Sequence, residues 1–193
     1  MSDYGRAHCD WSLWRRRGHR NTGTKSDDTL SLPGGHEVPF RPVGPKDASA
    51  LQRFLGRCSE QTIYLRFFGY LGEVSDQKAQ YLASVDGTDH FGLVALDPDD
   101  PDEIIAMVRY DREPDQERAE YAAIVEDGWQ DHGIGMALTR RLIAAAQDNG
   151  VRYFYAMVIG KNTRMLELLR RLDLPEEERK EGGIKHVDVE LTH

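Results

Sequence analysis

Gln130-Asp131-His132-Gly133-Ile134-Gly135 follows the apolar run Tyr121-Ala122-Ala123-Ile124-Val125 and precedes Met136-Ala137-Leu138. The order reads as strand, short turn and glycine-rich helix start. The first N–H groups of a helix have no intrahelical acceptor, and the aligned peptide dipoles add partial positive charge there, so a helix start attracts anions. Glycines at 133 and 135 omit the side chains that would hold a bulky anion away from those groups. Gln130 offers a side-chain amide donor at the rim. A pyrophosphate suits such a site. The spacing is neither the G-x-G-x-x-G of a dinucleotide fold nor the G-x-x-x-x-G-K-[ST] of a P-loop.

Upstream, residues 38–43 form a short strand whose Pro39 and Pro42 suit a sheet edge. Asp47 stands as N-cap of a helix reaching about Ser59, with Ala50, Leu51, Phe54 and Leu55 at helical spacing. Helical segments follow at 63–68 and 76–83. Residues 91–96 and 104–110 pair across an acidic, proline-containing turn, and 118–125 adds a third strand. Downstream of the loop a helix runs to about Gln147 and is closed by Asn149-Gly150. The unbroken apolar run 153–159 is a buried strand, and 162–172 is a helix with Met165, Leu166, Leu169 and Leu172 inward. Val187, Val189 and Leu191 alternate with Asp188 and Glu190 in a half-exposed final strand. The expected fold class is α+β, a mixed central sheet flanked by helices.

The 193 residues accommodate one domain with a tail. Hydrophobic residues at 39% and charged residues at 30% fit a globular chain. No apolar run approaches the length of a membrane span, and the N-terminus lacks a secretory signal pattern. Cys9 and Cys58 are too few for a disulfide framework or a zinc site. The expectation is a cytoplasmic protein with no metal and no membrane partner. Residues 1–36 hold six Lys/Arg against four Asp/Glu, and the remainder 19 against 29. So acidic a body argues against nucleic-acid binding. Residues 1–36, rich in Gly, Ser, Thr, Asp and Arg, read as a flexible tail that Trp11, Leu13 and Trp14 anchor, with the folded domain at 37–193.

Gln-x-x-Gly-x-Gly after a strand resembles the acetyl-CoA signature of the GCN5-related N-acetyltransferase (GNAT) superfamily. The element order over 38–191 resembles that fold. Three further segments are similar to the GNAT domains of Pat-type bacterial protein lysine acetyltransferases. Thr62-Ile63-Tyr64-Leu65-Arg66-Phe67-Phe68 looks like their S-x-Y-x-R-F-F segment. Ala119-Glu120-Tyr121-Ala122 falls where they carry a proposed catalytic glutamate, and Asn162-Thr163-Arg164-Met165-Leu166 resembles their N-x-x-M-L helix start. The resemblance implies acetyl-CoA as cosubstrate and a protein lysine as acceptor, notably on acyl-CoA synthetases. There are departures. Asp131-His132 replaces the commoner Gly-Arg and removes a cation from the loop. Leu169 stands where many members carry a tyrosine near the leaving sulfur, and Asp173-Leu174 where Gly-Phe is usual.

A free lysine is neutral in only about one molecule in 2,500 at pH 7, so the attacking amine must lose a proton. Glu120 is the candidate general base, sharing a strand face with Ala122 and Ile124. The alternative is a strand glutamate paired with Arg118 or Arg109. The candidate acetyl-CoA contacts are Ala123, Ile124, Val125, Gln130, Asp131, His132, Gly133, Ile134, Gly135, Met136 and Asn162. A splayed strand near 123–125 supplies a backbone N–H for the developing oxyanion. Asn162 is first of all an N-cap. Tyr64, Phe67 and Phe68 are expected in the core, and Glu126 and Asp127 in the turn. Neither cysteine is expected as a nucleophile, so transfer is direct. Two other functions remain open: acetylation of a small amine, and a non-catalytic acyl-CoA-binding module.

Overall fold

The computed structural model describes residues 28–69, 75–113 and 116–191. The strands are β1 (Thr29–Ser31), β2 (Glu37–Pro42), β3 (His90–Leu96), β4 (Ile104–Arg112), β5 (Arg118–Val125), β6 (Tyr153–Ile159), β7 (Glu176–Glu181) and β8 (Ile184–Glu190). The helices are α1 (Ala48–Arg57), α2 (Glu60–Phe67), α3 (Asp76–Ala83), α4 (Ile134–Asp148) and α5 (Thr163–Arg170). The strands join in the order β1-β2-β3-β4-β5-β6-β8-β7. Neighbours are antiparallel except β5 and β6, which α4 links by the crossover that a parallel pair requires.

Strand alternation divides the core into two layers. Phe91, Leu93 and Ala95 of β3 with Ala119 and Tyr121 of β5 pack toward α4 and α5, whose Leu138, Leu142, Leu166 and Leu169 meet them. Val94, Leu96 and Ile124 point the other way, onto Leu51, Phe54 and Leu55 of α1, Ile63 of α2 and Leu82 of α3. The sheet is thus mixed and covered on both faces. Among the described residues no helix is long and apolar enough to cross a membrane.

Several expectations change. The boundary at 36/37 moves back, because β1 precedes it and Leu30 and Leu32 are buried in the core. Of the expected tail, residues 1–27 lie outside the described residues. β2 is not an edge. Residues 37–39 pair with β1 and 40–42 with β3, so each half has one neighbour and tolerates a proline that lacks an N–H. Asp47 takes the N-cap position of α1 without capping it. Its carboxylate instead accepts from the Gly44 N–H at 2.8 Å and from both Arg41 terminal nitrogens. β7 was not expected at all: all six of its residues are exposed. Asp173, standing where glycine is usual, itself adopts the left-handed conformation at φ 57°.

Candidate active site

β5 and β6 pair only at Arg118↔Tyr153, Ala119↔Phe154 and Glu120↔Tyr155. Beyond Glu120, β5 stays with β4 as far as Val125↔Ala106, and β6 stays with β8 as far as Ile159↔Ile184. The two strands therefore part, and a cleft of about 480 Å3 opens between them. One wall is α2; the other is made by the start of α4 and by α5 along its length. All the site residues predicted from sequence line this cleft except His132. The His132 ring turns back to the Gln130 carbonyl, 2.7 Å from Nδ1, with its edge toward Trp129.

At the loop, the first bond of α4 runs from the Ala137 N–H to the Gly133 carbonyl at 3.0 Å. The N–H groups of Ile134, Gly135 and Met136 precede it, no side chain caps them, and all three residues line the cleft. The helix start is locked onto β5 from behind. The Thr139 hydroxyl donates to the Gly135 carbonyl at 2.6 Å and accepts from the Tyr121 hydroxyl at 2.7 Å. Burial pushes the Tyr121 phenol well above its ordinary range, so it stays a donor.

The two glycines serve different ends. Gly133 has φ 87°, and a Cβ there would lie 3.1 Å from Pro33 Cδ, so the backbone and its neighbour both require glycine. A Cβ on Gly135 would meet Leu168 Cδ1 at 3.2 Å and Val125 Cγ2 at 3.6 Å. Both of those residues line the cleft, so Gly135 keeps the passage between α4 and α5 open.

Gln130 differs from its expected role. Its Nε2 donates to Thr62 Oγ1 at 3.1 Å and to the Val125 carbonyl at 3.0 Å, which ties the loop to α2 and β5 instead of offering donors to a ligand. Asp127 reinforces the tie. It accepts from the Ser59 N–H at 2.8 Å, the Ser59 hydroxyl at 2.6 Å and the Thr62 hydroxyl at 2.8 Å. Burial works to raise the Asp127 carboxyl, but these hydrogen bonds outweigh it and hold the carboxyl below the usual range. With the folded pKa below the unfolded one, its contribution to stability is full above about pH 4 and fades as pH falls through the folded value. Asp127 is exposed, so Asp127→Asn should cost only about 0.5–1 kcal/mol in urea unfolding at pH 7, with a smaller difference from the parent at pH 3. An unchanged gap between pH 7 and pH 3 would show that the carboxylate is not the stabilising form.

The charged groups of the cleft pair selectively. Arg118 binds Asp188, and Arg109 Nε donates to Asp111 at 2.8 Å. Neither alternative partner therefore holds Glu120. Among the described residues no hydrogen bond or ion pair engages the Glu120 carboxylate. Asp111 stands directly across from it on β4 but is occupied by Arg109 and His90. At the far end Arg164 of α5 reaches Asp131, with Nη2 3.1 Å from Oδ2. That pair restores a cation where the loop sequence lacks one. Asn162 caps α5 by accepting from the Met165 N–H at 3.2 Å. Phe67 packs in the core layer, whereas Phe68 does not: at φ 60° it ends α2 and turns into the cleft, 39% exposed. Burial, with Asp127 and Glu126 adding to it, pushes the Cys58 thiol up to about 12, so it is no thiolate at neutral pH. Among the described residues no three His, Cys, Asp or Glu side chains gather as metal ligands.

The model of the acetyltransferase (GNAT) family matches residues 60–173, which span α2 to the end of α5 and hold all the cleft-lining residues but Ser59. The chain belongs to the GNAT acetyltransferase family. An acetyltransferase of Pseudomonas aeruginosa is 30% identical over 139 residues, 72% of this chain and 75% of that one. Acetyltransferase Pat of Mycolicibacterium smegmatis is 35% identical over 138 residues, 69% of this chain but only 40% of Pat. The GNAT domain of S. lividans PAT superposes with a TM-score of 0.78 at 27% identity, covering 84% of this chain and 96% of that domain.

This GNAT chain is thus an N-acetyltransferase, of a family that uses acetyl-CoA as cosubstrate. The residues present suit that molecule. Three uncapped amides face the cleft, the parted strands leave a slot for an extended arm, and Arg164 balances Asp131. Leu169, at the position where many GNAT members have tyrosine, is 2% exposed and packed in the core, so it offers the cleft no proton. The sequence reading gave no role to Arg66, Arg164 or Thr62. Thr62 and Arg164 make contacts between elements far apart in the chain, and Arg66 lines the cleft beside Glu120.

Proposed function

We propose that the protein acetylates lysine side chains of other proteins, acyl-CoA synthetases being the candidate class, by direct transfer with Glu120 as general base. The observation that carries this is the Glu120 carboxylate, which no ion pair engages among the described residues, at the point where β5 and β6 separate. An acceptor ammonium must lose its proton before nitrogen attacks, and a carboxylate free of ion pairs at the head of the slot is placed to take it. Acetyl-CoA, when bound, supplies a thioester as the activated acyl group. The amides of Ile134, Gly135 and Met136 hold its diphosphate. Backbone of β5 between Ala123 and Val125, which β6 does not pair, steadies the extended arm and donates an N–H where charge develops on oxygen. No covalent enzyme intermediate is needed, so positioning carries much of the acceleration.

The acceptor assignment rests on the shape of the walls. Gln61, Phe68, Met157, Glu167 and Arg171 line the cleft and are exposed, with both signs of charge present. A small polyamine is suited by a deep acidic pocket; an open mixed groove suits a lysine presented on a protein surface. Similarity to Pat supports the same reading. Steady-state assays should give acetylation of a folded acyl-CoA synthetase with kcat/KM well above that for free polyamines and amino-acid amides. The reverse order overturns the acceptor assignment.

Arg164 belongs to the same proposal. Arg164→Ala leaves Asp131 uncompensated beside the phosphate site and should weaken CoA binding about three- to tenfold at low salt. In 1 M salt calorimetry should find the difference largely gone.

A further inference from the structure

We propose that Arg66 selects acceptors carrying an anionic group, most simply a carboxylate, close to the amine that is acetylated. The inference rests on the reading of Glu120 as the transfer end of the cleft. α2 lies along the slot. Its Thr62 is bonded to Asp127 and Gln130 at the loop, and Arg66, one turn further on, lines the cleft together with Glu120 and lies within its field. Arg66 therefore stands at the acyl-transfer end, not at the phosphate end.

The Arg66 guanidinium has five N–H donors. Among the described residues none is donated to an acceptor, and the guanidinium lies over the Phe67 ring, 4.8 Å from Cζ. The half-buried Arg41 and Arg112 and the buried Arg109 behave differently: each holds a carboxylate. Burial lowers the Arg66 pKa and the charge of Glu120 opposes that, yet the two groups form no hydrogen bond. A half-buried cation with open donors in a cleft is an anion site awaiting its ligand.

Lys78 strengthens the field. Its ammonium lies 4.7 Å from the Phe67 ring centre and 5.6 Å from that of Tyr81, and no ion pair holds it among the described residues. Among the described residues, Arg66 in the cleft and Lys78 behind the Phe67 ring are thus two cations without an ion pair, both within the field of Glu120. An acceptor bringing only an ammonium is repelled there; one bringing a carboxylate beside the amine is not. The exposed Phe68 and Met157 flank the same opening and suit the aliphatic stem of the acceptor.

The test uses matched acceptor pairs with the full chain: lysine peptides with Asp or Asn beside the lysine, and an ω-amino acid with its amide. The acidic member should show about tenfold higher kcat/KM, mostly through KM, and the same ratio in affinity for the CoA complex. Arg66→Gln should bring the ratio close to one and Arg66→Lys should keep part of it, with CoA affinity unchanged in both. A wild-type ratio near one overturns the inference, as does a ratio that survives Arg66→Gln. The wild-type comparison stands even if a variant does not fold. If peptides are inert while the ω-amino acid pair keeps the preference, Arg66 retains its role and the protein-lysine reading falls.

Discussion

Glu120→Gln lowers acetyl transfer by roughly two to four orders of magnitude while CoA affinity stays within about twofold of the parent; that is the expected result. The substitution keeps size and removes only the ability to take a proton. Glu120 sits at the last β5–β6 pair, where its backbone is held by β4 on one side and Tyr155 of β6 on the other, so the amide should occupy the same place. The carboxylate has no partner to lose among the described residues, and stability should change little. Single-turnover rates with saturating acetyl-CoA isolate the transfer step. If those rates match the parent, Glu120 is not the base.

Gly135→Phe should weaken CoA binding by about 10²–10⁴-fold. A side chain at 135 starts 3.2 Å from Leu168 Cδ1 and 3.6 Å from Val125 Cγ2, and it can extend only into the slot over the exposed amides. Charge-assisted hydrogen bonds contribute about 1.5–3 kcal/mol each, so losing two accounts for that range. Leu168 is only half-buried and can give way, so the thermal midpoint should fall modestly. Calorimetry on the folded variant separates the two effects. Near-normal CoA affinity would mean that the diphosphate does not lie at this helix start.

The parts of the fold that were legible are those with an unbroken period. β5 at Arg118–Val125, β6 at Tyr153–Ile159 and α3 at Asp76–Ala83 each match the sequence expectation from end to end. β7, Glu176–Glu181, was invisible because every residue is polar and exposed; only its pairing with β8 makes it a strand. β1 is three residues long, and Leu30 alone of them is buried, too little for any alternation. The loop of the site was legible because its residues are contiguous and their chemistry is local. Gln130 was misread because its partners, Thr62 and Val125, are set by where α2 lies along β5. Arg66 and Arg164 fall inside segments that resemble Pat-type GNAT domains, but their surroundings, Glu120 near the one and Asp131 against the other, are set by the fold.

The central claim is that bare amides at the start of α4 hold the diphosphate of coenzyme A and thereby aim the thioester toward Glu120. An NMR titration of the backbone tests it most directly. CoA should shift the Ile134, Gly135 and Met136 amide resonances strongly, and acetylated pantetheine, which has no diphosphate, should leave them nearly still while moving those of 121–125. If CoA binds tightly and the three amides do not respond, the diphosphate is held elsewhere and the account fails.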